Sequence, residues 1–161
     1  METNLGMLDL AFFRPGALKD TPAGALYIPA ARGREQFLAG RLDDFPVLVI
    51  LEGDQPFEVA SPDQWTQSAG LLVEKIRFQV DKASAFQIRQ PQDAPSGALV
   101  LSSLGAMIIA HDQNGQRAVL LGGGAGSTQL DGTVAVAFTR WQIVAGSEPA
   151  VVMFEQTISP A

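Results

Sequence analysis

Apolar and polar positions alternate with a period of two over several short stretches of the chain, the pattern of strands that bury one face. In IRFQVD, Ile76, Phe78 and Val80 fall on one side and Arg77, Gln79 and Asp81 on the other. LLVEK, just upstream, puts Leu71 and Val73 on the opposite parity, so a bulge is expected near Glu74 or Lys75. FPVLVILEGD breaks the alternation. Its residues Val47 to Leu51 are continuously apolar, as in a central strand covered on both faces.

The C-terminal stretch TVAVAFTRWQIVAGSEPAVVMFEQTI reads as two strands joined through Gly146, Ser147, Glu148 and Pro149. Its apolar parity switches around Thr139 and Arg140, from Val134, Val136 and Phe138 to Trp141 and Ile143. That switch predicts a bulge or a bend from one sheet to another. Runs of this kind, bounded by Gly, Pro and Asp, predict about ten strands in all.

Helix signals are few. SPDQWTQSAG offers Ser61 as N-cap, Pro62 at the first helical position, Gln64 three residues after the cap and Gly70 as a stop. GREQFLAGRLDD predicts a further turn or two, since Leu38 and Leu42 share a helical face at i,i+4 spacing, although Gly40 weakens it. QPQDAPSG, residues 90 to 97, is the strongest loop. No fixed-period repeat or low-complexity linker divides the chain. The expected architecture is a single all-β domain over residues 1–161, mainly antiparallel, a sandwich or jelly-roll-like barrel with one or two short helices.

Composition supports a packed core: 47% of the 161 residues are hydrophobic and 17% charged. Eleven basic against seventeen acidic residues give a net charge of -6, and no basic run occurs. Nucleic acid and anionic membranes are therefore not expected partners. The absence of cysteine removes disulfides, thiolate nucleophiles and cysteine metal sites. METNLGMLDLAFF lacks the pattern of a signal peptide, and no apolar stretch reaches the length of a membrane-spanning helix, so the expected location is cytoplasmic.

The chemistry-bearing residues are sparse. AHDQNGQRAV holds the only histidine, His111, directly before Asp112. Asn-Gly between apolar runs predicts a hairpin turn with Asn114 and Gly115 at its centre. Gln113 would then face Gln116, Asp112 would face Arg117 and His111 would face Ala118. Adjacent residues of a strand point to opposite faces, so His111 and Asp112 cannot form a dyad with each other. A catalytic His111 needs carboxylates from elsewhere, and Asp43, Asp44 and Glu52 are the candidates. LSSLG contains Ser102 and Ser103 but lacks the glycine that a nucleophile elbow requires before its serine.

LLGGGAGSTQLDG is the sharpest compositional feature. Gly122, Gly123, Gly124 and Gly126 let a backbone approach a ligand closely, with Ser127 and Thr128 as donors. It has no Walker lysine, and a strand rather than a helix is expected after it, so a glycine-rich loop between strands is the simpler reading. No zinc site is expected from one histidine and no cysteine. Asp43 with Asp44, or Glu52 with Asp54, leaves only oxygen ligands, without a calcium-loop pattern. No cofactor motif is present. Tyr27, Trp65 and Trp141 could form an aromatic platform, with Trp141 the best of the three because of the parity break beside it, although core packing is the commoner role.

Two functional classes follow. One is a non-catalytic binding or assembly module with a protein or small-molecule partner, including a homodimer through a sheet edge or apolar face. The other is a hydrolase or isomerase using His111 with carboxylates in a pocket between sheets. The scarcity of catalytic residue types favours the first.

Overall fold

The computed structural model describes residues 13–17, 20–30, 36–42, 45–52, 55–60, 69–89, 93–102, 105–121, 135–146 and 150–158. Fourteen strands are assigned among them, more than the roughly ten expected. In chain order they are β1 (Arg14–Ala17), β2 (Leu26–Pro29), β3 (Gln36–Leu42), β4 (Phe45–Glu52), β5 (Val59–Ala60), β6 (Ala69–Val73), β7 (Ile76–Val80), β8 (Ala85–Ile88), β9 (Leu99–Ser102), β10 (Gly105–Asp112), β11 (Gly115–Leu120), β12 (Ala135–Phe138), β13 (Arg140–Ala145) and β14 (Val151–Thr157). No α-helix occurs among the described residues. A 3-10 turn at Lys82–Ser84 is capped by Asp81, whose carboxylate accepts from the Ala83 N–H at 3.0 Å.

The strands form two antiparallel sheets. The large one has eleven strands, with a main path β1-β6-β2-β3-β11-β10-β9-β12-β8 and with β4 and β5 attached through β3; the small one is β14-β13-β7. They pack as a sandwich. The large sheet does not close on itself, since β1 and β8 lie at its two ends, so the barrel alternative does not hold.

Both parity switches in the sequence are places where the chain changes sheet. β6 lies in the large sheet and β7 in the small one, with Glu74 and Lys75 between them. The bulge expected there is instead a crossing. In the same way β12 pairs with β9 and β8 in the large sheet, while β13, beginning just past Thr139, pairs with β7 and β14. A chain passing from one layer to the other must turn its apolar side around to keep it in the core between them. That reversal is the parity change.

The segment GREQFLAGRLDD, expected to be helical, contains β3. Leu38 and Leu42 are four apart, and four is an even number, so they also share one face of a strand; both belong to the cluster between the sheets. Gly40 fits the strand because a Cβ there would collide with the Val119 side chain and sit 2.9 Å from the Leu120 carbonyl oxygen. Of SPDQWTQSAG, residues 61–68 lie outside the described residues. Its last two residues, Ala69 and Gly70, start β6, so Gly70 continues a strand instead of stopping a helix.

Leu48, Val49 and Leu51 of β4 are almost fully buried, as a strand covered on both faces requires. Val49 and Leu51 face the small sheet, and Leu48 packs with Tyr27, Phe37 and Leu72 on the far side. Between the sheets, Leu26, Leu38, Ile108 and Val119 meet Trp141, Ile143 and Phe154. Trp141 is 2% exposed, with ring centroids 5.6 Å from Phe154, 6.1 Å from Phe78 and 6.5 Å from Phe57. Burying apolar surface is worth about 25 cal/mol per Å², so this aromatic group contributes several kcal/mol to holding the layers together. Phe57 enters the group from a backbone at φ 64, the only non-glycine residue with positive φ among the described residues.

Candidate functional site

The hairpin around His111 turns one residue earlier than expected, which moves every cross-strand partner by two positions. Asp112 stands opposite Gly115, His111 opposite Gln116 and Ala110 opposite Arg117. Gln113 and Asn114 occupy the turn, and Gly115 takes the positive φ, 120°. The shift has a local cause: the Asp112 carboxylate accepts from the Asn114 N–H at 2.7 Å, an Asx turn that closes the loop one residue early. Its other oxygen accepts from Arg117 Nε at 3.0 Å, so the two residues pair diagonally across the hairpin. Burial raises the Asp112 carboxyl pKa, but the Arg117 hydrogen bond, the Asn114 and Gly115 amides and the Arg117 charge outweigh it and hold it below the ordinary value.

His111 faces away from Asp112. Its Nε2 lies 3.2 Å from the Pro56 carbonyl oxygen, and its backbone N–H donates to the Phe57 carbonyl at 2.9 Å. The side chain thus clamps the turn that carries Phe57. The other expected site residues do not gather around it. Glu52 is exposed at the end of β4, opposite Gln36. Asp43, Asp44, Asp54 and Trp65 lie outside the described residues, as do Gly122, Gly123, Gly124, Gly126, Ser127 and Thr128. Among the described residues, no three of His, Cys, Asp and Glu come together as metal ligands.

Of the aromatic platform, Tyr27 is 0% exposed and Trp141 points into the core, where its Nε1 donates to the Gly97 carbonyl oxygen at 2.9 Å. The facing left open by the parity break is therefore inward. Ser102 donates to the Gly105 carbonyl oxygen at 3.3 Å.

A concave surface lies elsewhere, on the outer face of the small sheet. The polar positions of β7, β13 and β14 come into register there: Gln79 and Glu155 both stand opposite Gln142, and Thr157 stands opposite Arg140. Gln142 Nε2 donates to Gln79 Oε1 at 2.7 Å, and Arg140 approaches the Asp81 carboxylate at 3.8 Å. These residues, with Val80, Trp141 and Gln156, border a cavity of about 420 Å³. Apart from Trp141, none of them stood out as a binding residue in the sequence. The only signal of Gln79, Gln142 and Glu155 was to occupy the solvent parity of three strands, which is also how an ordinary solvated sheet face reads.

No helix among the described residues is long and apolar enough to cross a membrane. No solved structure matches the chain. A protein of Sinorhizobium fredii described as "Uncharacterized protein y4lG" is 31% identical over 148 residues, covering 87% of this chain and 86% of its own length. The family described as "Y4lG: Uncharacterised protein y4lG" matches residues 15–156, nearly the whole of both sheets. The chain belongs to the y4lG family.

Proposed function

We propose that this protein is a non-catalytic binding module whose ligand lies on the outer face of the small sheet. The observation that carries the reading is the Gln79–Gln142–Glu155 row bordering the 420 Å³ cavity. A volume of that order suits a small molecule. The bond between the two amides uses one donor and one acceptor. The Gln79 amide nitrogen, the second Gln142 N–H and the Gln142 oxygen remain to meet a ligand. Alternating donors and acceptors of this kind match a neutral molecule with several hydroxyl groups, a sugar or polyol. Of the acidic groups at the border, Asp81 is engaged by the Ala83 N–H and Arg140, and no histidine, cysteine or serine stands with Glu155 to complete a catalytic pair, which supports binding without turnover.

The test is a thermal-shift titration with monosaccharides, disaccharides and linear polyols, repeated on Gln142→Ala. A ligand at a hundred times its Kd stabilises the native state by about 2.7 kcal/mol, a rise of several degrees in Tm. The proposal expects such a rise for one of these compounds and its loss in Gln142→Ala. No rise with any of them, or one that Gln142→Ala leaves intact, overturns it.

A further inference from the structure

A second cavity, of about 290 Å³, opens where β3 changes neighbours. Over its first half β3 pairs with β2, through Leu38 with Leu26 and Phe37 with Tyr27. That pairing ends at Ala39, whose carbonyl accepts from the Gly24 N–H at 2.8 Å and whose own N–H donates to the Ala25 carbonyl at 3.0 Å. From Arg41 onward the neighbour is β11, through Leu120. The turn at Pro22–Ala25 stands over the seam, closed by a 3.1 Å hydrogen bond from the Ala25 N–H to the Pro22 carbonyl. Gly24 makes the approach possible: its φ is +86°, and a Cβ would sit 2.6 Å from the Leu121 carbonyl oxygen.

Among the described residues, two side chains bordering this cavity have polar groups without partners. Arg41 is half-buried, on the same strand face as Ala39 and opposite Pro46, and no carboxylate among the described residues pairs with it. Arg14, Arg117 and Arg140, by contrast, each have a carboxylate within 4 Å. Among the described residues, then, this partly desolvated guanidinium has no counter-charge. The Thr21 hydroxyl oxygen is buried without a hydrogen-bond partner. A rotamer step about χ1 carries the hydroxyl out of that position and frees it to donate, with no existing bond to break.

We propose that this cavity binds a small organic carboxylate, held by Arg41 and Thr21. The guanidinium fork matches a carboxylate in geometry and charge. The floor selects among anions: Ala39 and Leu48 are almost fully buried and Pro22 and Pro46 flank them, so an alkyl tail is accommodated where inorganic phosphate has nothing to place. The site shares no residue with the outer face of the small sheet, so each can fail without the other.

The experiment is calorimetric titration of the whole chain with acetate, butyrate, hexanoate and inorganic phosphate, repeated on Arg41→Gln, Arg41→Lys and Thr21→Val. Saturable binding that tightens from acetate to butyrate or hexanoate is expected. Arg41→Gln should weaken it at least tenfold, and Arg41→Lys by less. Thr21→Val, which replaces the unpartnered hydroxyl by a methyl of similar size, should weaken binding with Tm unchanged or raised. If Arg41→Gln does not fold, Arg41→Lys and Thr21→Val decide the outcome. Absence of saturable carboxylate binding, equal affinity in the folded variants, or phosphate binding as tightly as butyrate overturns the proposal.

Discussion

The indole N–H of Trp141 donates to the carbonyl oxygen of Gly97 at 2.9 Å across the sandwich, joining the second strand of the small sheet to the loop before β9. Gly97 is buried, its own N–H is used by the Ile109 carbonyl, and its φ of +93° is open to few residues other than glycine. Trp141→Phe keeps an aromatic ring but leaves that carbonyl buried and unpaired. We expect a loss of about 1–3 kcal/mol. It should appear in urea denaturation as a lower midpoint with an unchanged slope.

Gly40→Ala tests the crowding of β3 by β11. The added methyl would meet the Val119 side chain and the Leu120 backbone, and backbone cannot move aside cheaply. Overpacking of this kind costs about 1–3 kcal/mol. If the segment were helical, alanine would instead stabilise it by up to about 1 kcal/mol. The sign of the change in Tm therefore checks the strand assignment.

Asp112 gives a pH dependence with a definite sign. Its folded pKa lies below the unfolded one, so its contribution is complete above the unfolded value, about 3.9, and is lost as pH falls through the folded value. Asp112→Asn removes that dependence. Wild type should be the more stable at neutral pH, and the two curves of Tm against pH should converge on the acid side, below about pH 4.

His111→Ala removes the hydrogen bond to the Pro56 carbonyl and loosens the turn that presents Phe57. A cost of about 0.5–1.5 kcal/mol is expected, while affinity for any small-sheet ligand should stay the same. A fall in affinity without loss of stability would give His111 a role in the site and weaken the non-catalytic reading.

Most of the sheet framework was legible along the chain because strand facing is local. Ile76 and Phe78 alternate with Arg77 and Gln79 whichever strand pairs beside them. The hairpin turns one residue before the expected position, and its strand partners differ by two, since Asn-Gly marks a turn without showing that the Asp112 carboxylate will close it early. Leu38 and Leu42 were ambiguous in a different way: a spacing of four satisfies both a helix and a strand. The candidate sites were least legible. Gln79 and Gln142 are 63 residues apart in the chain and touch only because β7 and β13 are neighbours.

The sequence by itself determined the all-β class, the double burial of Val47–Leu51 and the two places where the chain reverses its apolar side. These follow from the two-residue period of an extended backbone and the need to keep apolar groups out of water. Tertiary structure alone decided that the reversals are sheet crossings, that Trp141 points inward and that the small sheet presents its polar row around a cavity. Each of these depends on which strand lies beside which. Strand neighbours are selected by the combined packing of residues distant in sequence, and no local spacing records that choice.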